Sequence, residues 1–414
     1  MRVPKDPPKR EEIEQALTQK TDGRKELKRE YRLITPLFGG GEEPRLADSV
    51  TTVRPSEVKG QLRFWWRAIR GWQAEGDLST LLKREEEIWG GITKTQQASR
   101  VIVEVETLNP GEPKNPFTKQ EGKRFPKNDP NIAPGYVAFP LRETKDDPRN
   151  YPVRVGVRFR LRLRFPASLK EEVLAALWAW ETFGGIGGRT RRGFGAFLES
   201  EVGPISEATI RENLKRYSRQ GGWPKYVPHL TPESVIHLHP GSWQETVRCY
   251  ERFRQWRTRD DRRNPGRSRW PEPDAIRRLT GKWDPRHAPE HPVNKFPRGQ
   301  FGLPIIFHFK REKGKRVKDE QDPPDSTLKG ASLERHASPL AFRPLSKDGP
   351  TLVYVLEGNR KLPEAYALDT APGKPIEVEL EPDEAQKIEP LARAGGLTDP
   401  VLAFVEWLKG GCKR

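Results

Sequence analysis

The sequence predicts an α+β protein of two ferredoxin-like (RRM-like, βαββαβ) domains with long loop insertions. Three observations predict it. Elements run in the order β (29–38), α (56–73), β (100–107), β (152–165), α (168–183), β (191–200), the βαββαβ plan. The chain has 414 residues, more than one core usually serves at ~100–200 residues per domain. Forty Pro and 36 Gly lengthen the loops, while 12 Trp and 17 Phe supply core material. The expected division is a flexible arm (1–27), a first domain (28–203) and a second (204–414) with a basic loop and an acidic C-terminal tail after about residue 360.

The first strand is read from Tyr31 to Phe38, closed by Gly39-Gly40-Gly41. The helix over 56–73 starts after Pro55, with Ser56 as its expected N-cap and Glu57 in its first turn. Val58, Leu62, Trp65, Ile69 and Trp72 form one apolar stripe, and Lys59, Arg63, Arg67 and Arg70 a basic one about 100° away. The spacing leaves Trp66 open. Leu78 to Trp89 continues as a second helical stretch, and 109–151 is a long insertion rich in Pro, Lys and Asn.

In the third strand, Val153, Val155, Val157, Phe159, Leu161, Leu163 and Phe165 take one face. Arg154, Arg158, Arg160, Arg162 and Arg164 take the other. Period two then gives a sheet with helices on its apolar face and positive charge opposite. A boundary is expected over 203–225. Beyond it come a strand at 234–239, a basic helix from Trp243 to about Arg259 and a helix at 275–279. Strands follow at 304–310, 338–345 and 351–356, with a charged loop at 311–330 and a final helix around Phe404 to Leu408.

Lys plus Arg is 75 and Asp plus Glu 58, so the formal charge is +17. This excess points to a polyanionic partner rather than a small metabolite. The longest apolar run, Val173 to Trp180, is far short of the ~20 residues of a membrane span. The first fifteen residues hold no apolar h-region, so a cytoplasmic protein without membrane partners is expected. Cys249 and Cys412 are too few for a disulfide framework or a Cys-based zinc site. His237 with His239 and His287 with His291 have ligand-like spacing but no joining Cys. No metal, cofactor or catalytic residue is expected.

The glycine loop holds Gly184, Gly185, Gly187, Gly188, Gly193 and Gly195 around Arg189, Arg191 and Arg192. Glycine lets backbone amides approach a phosphate, and arginine adds charge and a bidentate fork. No Gly-Lys-Ser/Thr occurs, so this is no Walker loop, and it closes a helix rather than opening one. The competing reading is a plain helix C-terminus. A second basic loop carries Arg262, Arg263, Arg267 and Arg269 before Trp270. It suits either RNA or an acidic protein surface.

Ile34-Thr35-Pro36-Leu37-Phe38-Gly39-Gly40, Arg54-Pro55-Ser56-Glu57-Val58-Lys59-Gly60-Gln61-Leu62-Arg63-Phe64-Trp65-Trp66-Arg67 and the glycine loop resemble the RAMP proteins of type III CRISPR effectors. More narrowly they are similar to the first subunit of the Cmr (type III-B) complex. Gly266-Arg267-Ser268-Arg269-Trp270-Pro271, Gly302-Leu303-Pro304 and Ala337-Ser338-Pro339-Leu340 extend the likeness over about 30–345. The resemblance implies a non-catalytic subunit at the cap of the complex, near the 3′ end of the guide RNA, where target RNA is engaged. Its implied partners are guide CRISPR RNA, target RNA and the other Cmr subunits. The positions it assigns to RNA are Ser56, Lys59, Arg63, Arg67, the glycine loop, Arg189, Arg191 and Arg192. Arg54 belongs to the same motif. The rival reading is a RAMP-type endoribonuclease that processes guide precursor. Such enzymes carry a catalytic His in the first domain, and here all seven His lie at or after His229. A third is a scaffold for acidic proteins, which copurification with RNA separates from the first.

Overall fold

The structure is a computed structural model that describes residues 24–92, 97–122, 126–144, 146–199, 205–259, 266–309 and 321–413. The expected arm over 1–27 lies outside these as far as residue 23. From Arg24 the chain is already in a strand, because Leu27 and Tyr31 alternate onto the apolar face.

The first half contains β1 (Arg24–Leu33), α1 (Pro55–Arg70), α2 (Leu78–Trp89), β2 (Ile102–Asn109), β3 (Arg158–Pro166), α3 (Lys170–Phe183) and β4 (Phe197–Glu199). Its sheet has the order β2-β3-β1-β4, antiparallel throughout. The expected third strand is shorter than its alternation. At Gly156 the chain turns with φ +81, and Val153–Val155 pairs instead with Glu112–Lys114 of the insertion.

One sheet face is core. Phe159, Leu161, Leu163 and Phe165 meet α1 and α3, which pack against each other. Val58, Leu62, Trp65 and Ile69 of the predicted stripe are buried, and so is Trp66. Trp72 is only partly covered, its indole N–H donating to the Tyr217 carbonyl at 3.1 Å.

The opposite face is not the positive surface expected. Glu26, Glu30, Glu104 and Glu106 arrive on the neighbouring strands in register with the arginines. Arg160 binds Glu30 at 2.5 Å and Glu106 at 2.6 Å, Arg162 lies 3.6 Å from Glu104, and Arg164 also binds Glu104. Cross-strand pairs of opposite charge neutralise the ladder.

The expected boundary at 203–225 holds α4 (Glu207–Tyr217), capped by Ser206. Its Ile210, Leu214 and Tyr217 join the first core. Then come β5 (Ile236–His239), α5 (Trp243–Arg254), α6 (Glu272–Thr280), β6 (Ile305–Phe307), β7 (Ser326–Gly330), β8 (Leu340–Pro344), β9 (Thr351–Val355), β10 (Tyr366–Leu368) and α7 (Pro400–Lys409). β7 lies where a charged loop was expected. Among the described residues this half forms two three-stranded sheets, β8-β9-β5 and β6-β7-β10, rather than a second four-stranded one.

The halves share their interior. Ala341, Leu345, Leu352 and Tyr354 belong to the first core, and Phe38 and Phe194 pack with Trp243, Phe342 and Phe404 in a second. Nor is the acidic C-terminal stretch a tail. Leu380, Ile388, Leu391, Phe404, Trp407 and Leu408 are buried in that second core. A disulfide between Cys249 and Cys412 ties the last turn to α5.

Candidate nucleic-acid interface

Helix α1 begins at Pro55 with Arg54, not Ser56, at its N-cap position, and no side chain caps it. Pro at the first helical position brings no N–H, so the helix starts with one orphan donor fewer. Ser56 is exposed in the first turn. Arg54 donates to the Gly40 carbonyl, which fixes the triple-glycine turn against the helix start.

The basic stripe is largely neutralised from α2. Glu85, 4% exposed, accepts from Arg63 Nε at 2.7 Å and Arg67 Nη1 at 2.5 Å. Arg70 binds Glu172 at 2.5 Å, and Trp66 donates to the same carboxylate at 2.7 Å. Burial raises the Glu172 carboxyl, but Arg70, Trp66 and Gln73 together leave the group below its ordinary value. The expected free flank is therefore an ion-pair cluster. Lys59 has no partner among the described residues. Burial, then the charge of Arg63, lowers its ammonium. It lines an open cleft of about 390 Å³ with Leu82, Glu86, Trp89 and Ile92.

The glycine loop turns its amides inward. Gly184 donates to Trp180 O at 2.8 Å, Gly187 to Glu57 Oε1 at 2.5 Å and Gly188 to Phe38 O at 2.6 Å. The expectation that the Gly187 and Gly188 amides cradle phosphate is corrected, because both are already engaged within the chain. Glycine is needed for packing instead. Gly187 has φ +80, and a Cβ there would lie 2.7 Å from both Leu37 Cδ1 and Phe38 O. A Cβ on Gly184 would sit 2.7 Å from Trp65 Nε1, and one on Gly185 3.0 Å from Thr190 Cγ2.

Two loop arginines fasten the halves. Arg191 donates to Ser338 O at 2.6 Å, and Arg192 to Leu340 O at 2.8 Å and Tyr250 Oη at 3.2 Å. Phe342 N donates back to Arg191 O at 3.1 Å, and Trp243 Nε1 to Arg192 O at 2.8 Å. Arg189 differs. It has φ +56, a left-handed conformation that costs a non-glycine residue about 1 kcal/mol. Its Nε is buried without a hydrogen-bond partner. Burial, then Arg192, lowers its guanidinium to about 10, so it stays charged at neutral pH. Arg189, Arg192 and Arg254 stand around Tyr136 and Tyr250; among the described residues none of the three makes a salt bridge to a carboxylate, although the charge of Glu272 acts on Arg254.

A family model for the RAMP superfamily matches residues 30–198. The chain carries a RAMP-superfamily region. It is 32% identical over 183 residues to the CRISPR system Cmr subunit Cmr1-1 of Pyrococcus furiosus, covering 40% of this chain and 49% of that protein. It is 29% identical over 181 residues to subunit Cmr1-2 of the same organism, covering 39% of this chain and 89% of that one. The chain thus spans about half the length of the first of these relatives. Among solved structures it is similar to apo Cmr1 from Pyrococcus furiosus, at 20% identity and TM-score 0.44, over 80% of this chain and 87% of that one. A chain of a type III-B Cmr-beta assembly bound to cognate target RNA matches at 12% identity and TM-score 0.45, over 92% and 99%.

The RAMP region thus contains every first-half motif quoted above, while the second-half motifs fall outside the matched span. There, Arg267 binds Asp274 at 3.1 Å and Glu290 at 2.8 Å, and Arg269 binds Glu389 at 2.9 Å. These are not free cations as their sequence implied. Arg262 and Arg263 lie outside the described residues. His229 stacks on Trp223, the His237 and His239 rings are 6.0 Å apart, and His287 meets Asp322 at 2.5 Å. No group of three or more metal-ligating side chains occurs among the described residues. No described helix is long and apolar enough to cross a membrane.

Sequence reasoning missed Glu57 and Glu85 as partners of the motif residues, and Arg254 as a neighbour of the RAMP glycine loop. The run Glu85-Glu86-Glu87 was the available signal for the acidic partner of α1.

Proposed function

We propose that this chain is a non-catalytic RNA-binding subunit of a type III-B (Cmr) CRISPR effector complex. It holds the 3′ region of guide RNA, target RNA or both at the cap of that complex, beside other Cmr subunits in the cytoplasm. The observation that carries the reading is that the RAMP match coincides with cations at the loop seam that make no salt bridge among the described residues. Arg189 and Arg192 lie within residues 30–198, and Arg254 shares the Tyr250 ring with Arg192. The first sheet, with its β2-β3-β1-β4 order, is a ferredoxin-like unit in this reading. Its polar face is already neutralised by glutamates. RNA therefore meets the Lys59 and glycine-loop side, where phosphates fix position without reading sequence.

The test is to purify the chain with its companion subunits and sequence the RNA crosslinked to it. Guide 3′ ends or target segments are the expected yield. RNA alone should bind regardless of sequence, and log K should fall with log salt at a slope of roughly −3 for about four phosphates. RNA cleavage abolished by one substitution in this chain would instead establish the endoribonuclease.

A further inference from the structure

The insertion at 109–151 carries an aromatic ring that the function above does not use. Phe139 is 55% exposed, which is unusual for a phenylalanine on a well-packed turn. Its neighbours are fixed. Val137, Ala138 and Leu141 are buried in the second core, and Tyr136 meets Arg254 Nη1 at 3.3 Å. The ring is thus held rigidly in solvent, as a preorganised contact requires.

Above it stands Arg189, its guanidinium carbon 5.1 Å from the Phe139 ring centroid and 6.0 Å from that of Phe38. Arg189 combines a left-handed backbone, a buried Nε without a partner and a cation without a carboxylate among the described residues. The Arg192 amide, donating to Arg189 O at 2.8 Å, closes the left-handed turn, and the two rings face the cation, but the buried Nε is left without a hydrogen-bond partner. A left-handed non-glycine residue that carries an orphaned buried donor beside an exposed ring is the kind of outlier found at ligand clamps. An aromatic face beside an arginine is also how sequence-tolerant proteins hold single strands, the ring stacking a base and the cation taking its phosphate.

We propose that Phe139 and Arg189 form a seat for one unstacked nucleobase and its phosphate on bound single-stranded RNA. The inference rests on the RNA-binding reading above, and adds the insertion to the interface.

The experiment titrates the full chain with two strands of equal length, a single-stranded RNA and a fully abasic ribose-phosphate chain. The wild-type protein should prefer the strand with bases. Phe139→Ala should narrow that preference by about 5- to 150-fold, the loss expected of one stacked base. Phe139→Trp should keep it. Arg189→Gly, which relieves the positive φ and leaves the fold intact, should weaken both strands equally and less so at high salt. Circular dichroism confirms folding of each variant. A folded Phe139→Ala protein with the full preference for bases overturns the seat and leaves the RNA-binding reading standing. A wild-type chain that binds neither strand overturns the RNA-binding reading and the seat with it.

Discussion

Glu57, in the first turn of α1, accepts the amide of Gly187 at 2.5 Å across 130 residues of sequence. The two most recognisable motifs of the chain are therefore two halves of one clamp. Burial raises the Glu57 carboxyl, against the opposing pull of the Gly187 amide and Arg54. The amide that looked free for phosphate in the sequence already holds a carboxylate.

This clamp sets the first prediction. Gly187→Val should destabilise the fold by about 3 kcal/mol, through backbone strain at φ +80 and a clash with Leu37 and Phe38. The protein that remains folded should keep RNA affinity close to wild type. Thermal melts and RNA titration of the same sample check both halves. A folded Gly187→Val protein that no longer binds would return the amide to the interface.

The second prediction concerns Glu85, shared by Arg63 and Arg67. Removing one arginine leaves the carboxylate paired, and should cost under about 1 kcal/mol. Removing both strands a buried charge, which typically costs about 3–5 kcal/mol. The losses should thus be strongly non-additive, and Glu85→Gln should recover part of the double loss. Denaturant unfolding of the four variants measures it. Additive single losses would show that Glu85 does not couple the two.

These cases show what was legible. The apolar stripe of α1 and the alternation of β3 follow from local spacing, so Val58, Leu62, Trp65 and Phe159 were placed correctly. The charge balance was not legible, because each acid comes from a distant element. Glu30 reaches Arg160 across 130 residues, and Glu85 reaches Arg63 across 22. The glycine loop was legible as a place intolerant of side chains. Whether the obstacle was a phosphate or Phe38 depended on a tertiary contact. The buried α4 was missed because Gly203-Pro204 and Gly221-Gly222 bracket it with linker signals.

The third prediction is a pH dependence. Burial, opposed by the Tyr31 hydroxyl that donates at 2.6 Å, and reinforced by Glu199, pushes the Glu181 carboxyl up to about 7. The folded state therefore binds this proton more tightly than the unfolded chain, whose carboxyl titrates near 4.3. Its contribution is full below the unfolded pKa and is lost as pH rises to about 7, on the order of 3 kcal/mol in all. Glu181→Gln keeps an acceptor for Tyr31 and removes the titration. Its melting temperature should decline less than that of wild type between pH 5 and 8. Parallel declines in the two proteins would assign the pH dependence elsewhere.

The last prediction uses the bridge between Cys249 and Cys412. Their Cα atoms are 5.9 Å apart and 163 residues separate them in sequence, a long loop to close in the unfolded chain. Cross-linking a loop of that length removes much of the denatured-state entropy, and the expected stabilisation is about 5 kcal/mol. The bridge also supports the seam between the halves. Cys249 precedes Tyr250, the ring and hydroxyl that hold Arg192. Cys412 follows α7, whose Phe404 packs edge-on against the same Tyr250. Reduction should therefore lower the melting temperature and, near that temperature, loosen the seam around Arg192 and Tyr250 before the first sheet unfolds. Cys249→Ser with Cys412→Ser should reproduce the effect of reductant and abolish any further response to it. Hydrogen exchange should then rise in α5 and α7 while β1 and β3 stay protected. A reduced protein that melts with the oxidised one would show that hydrophobic packing of α7 alone holds this end of the chain.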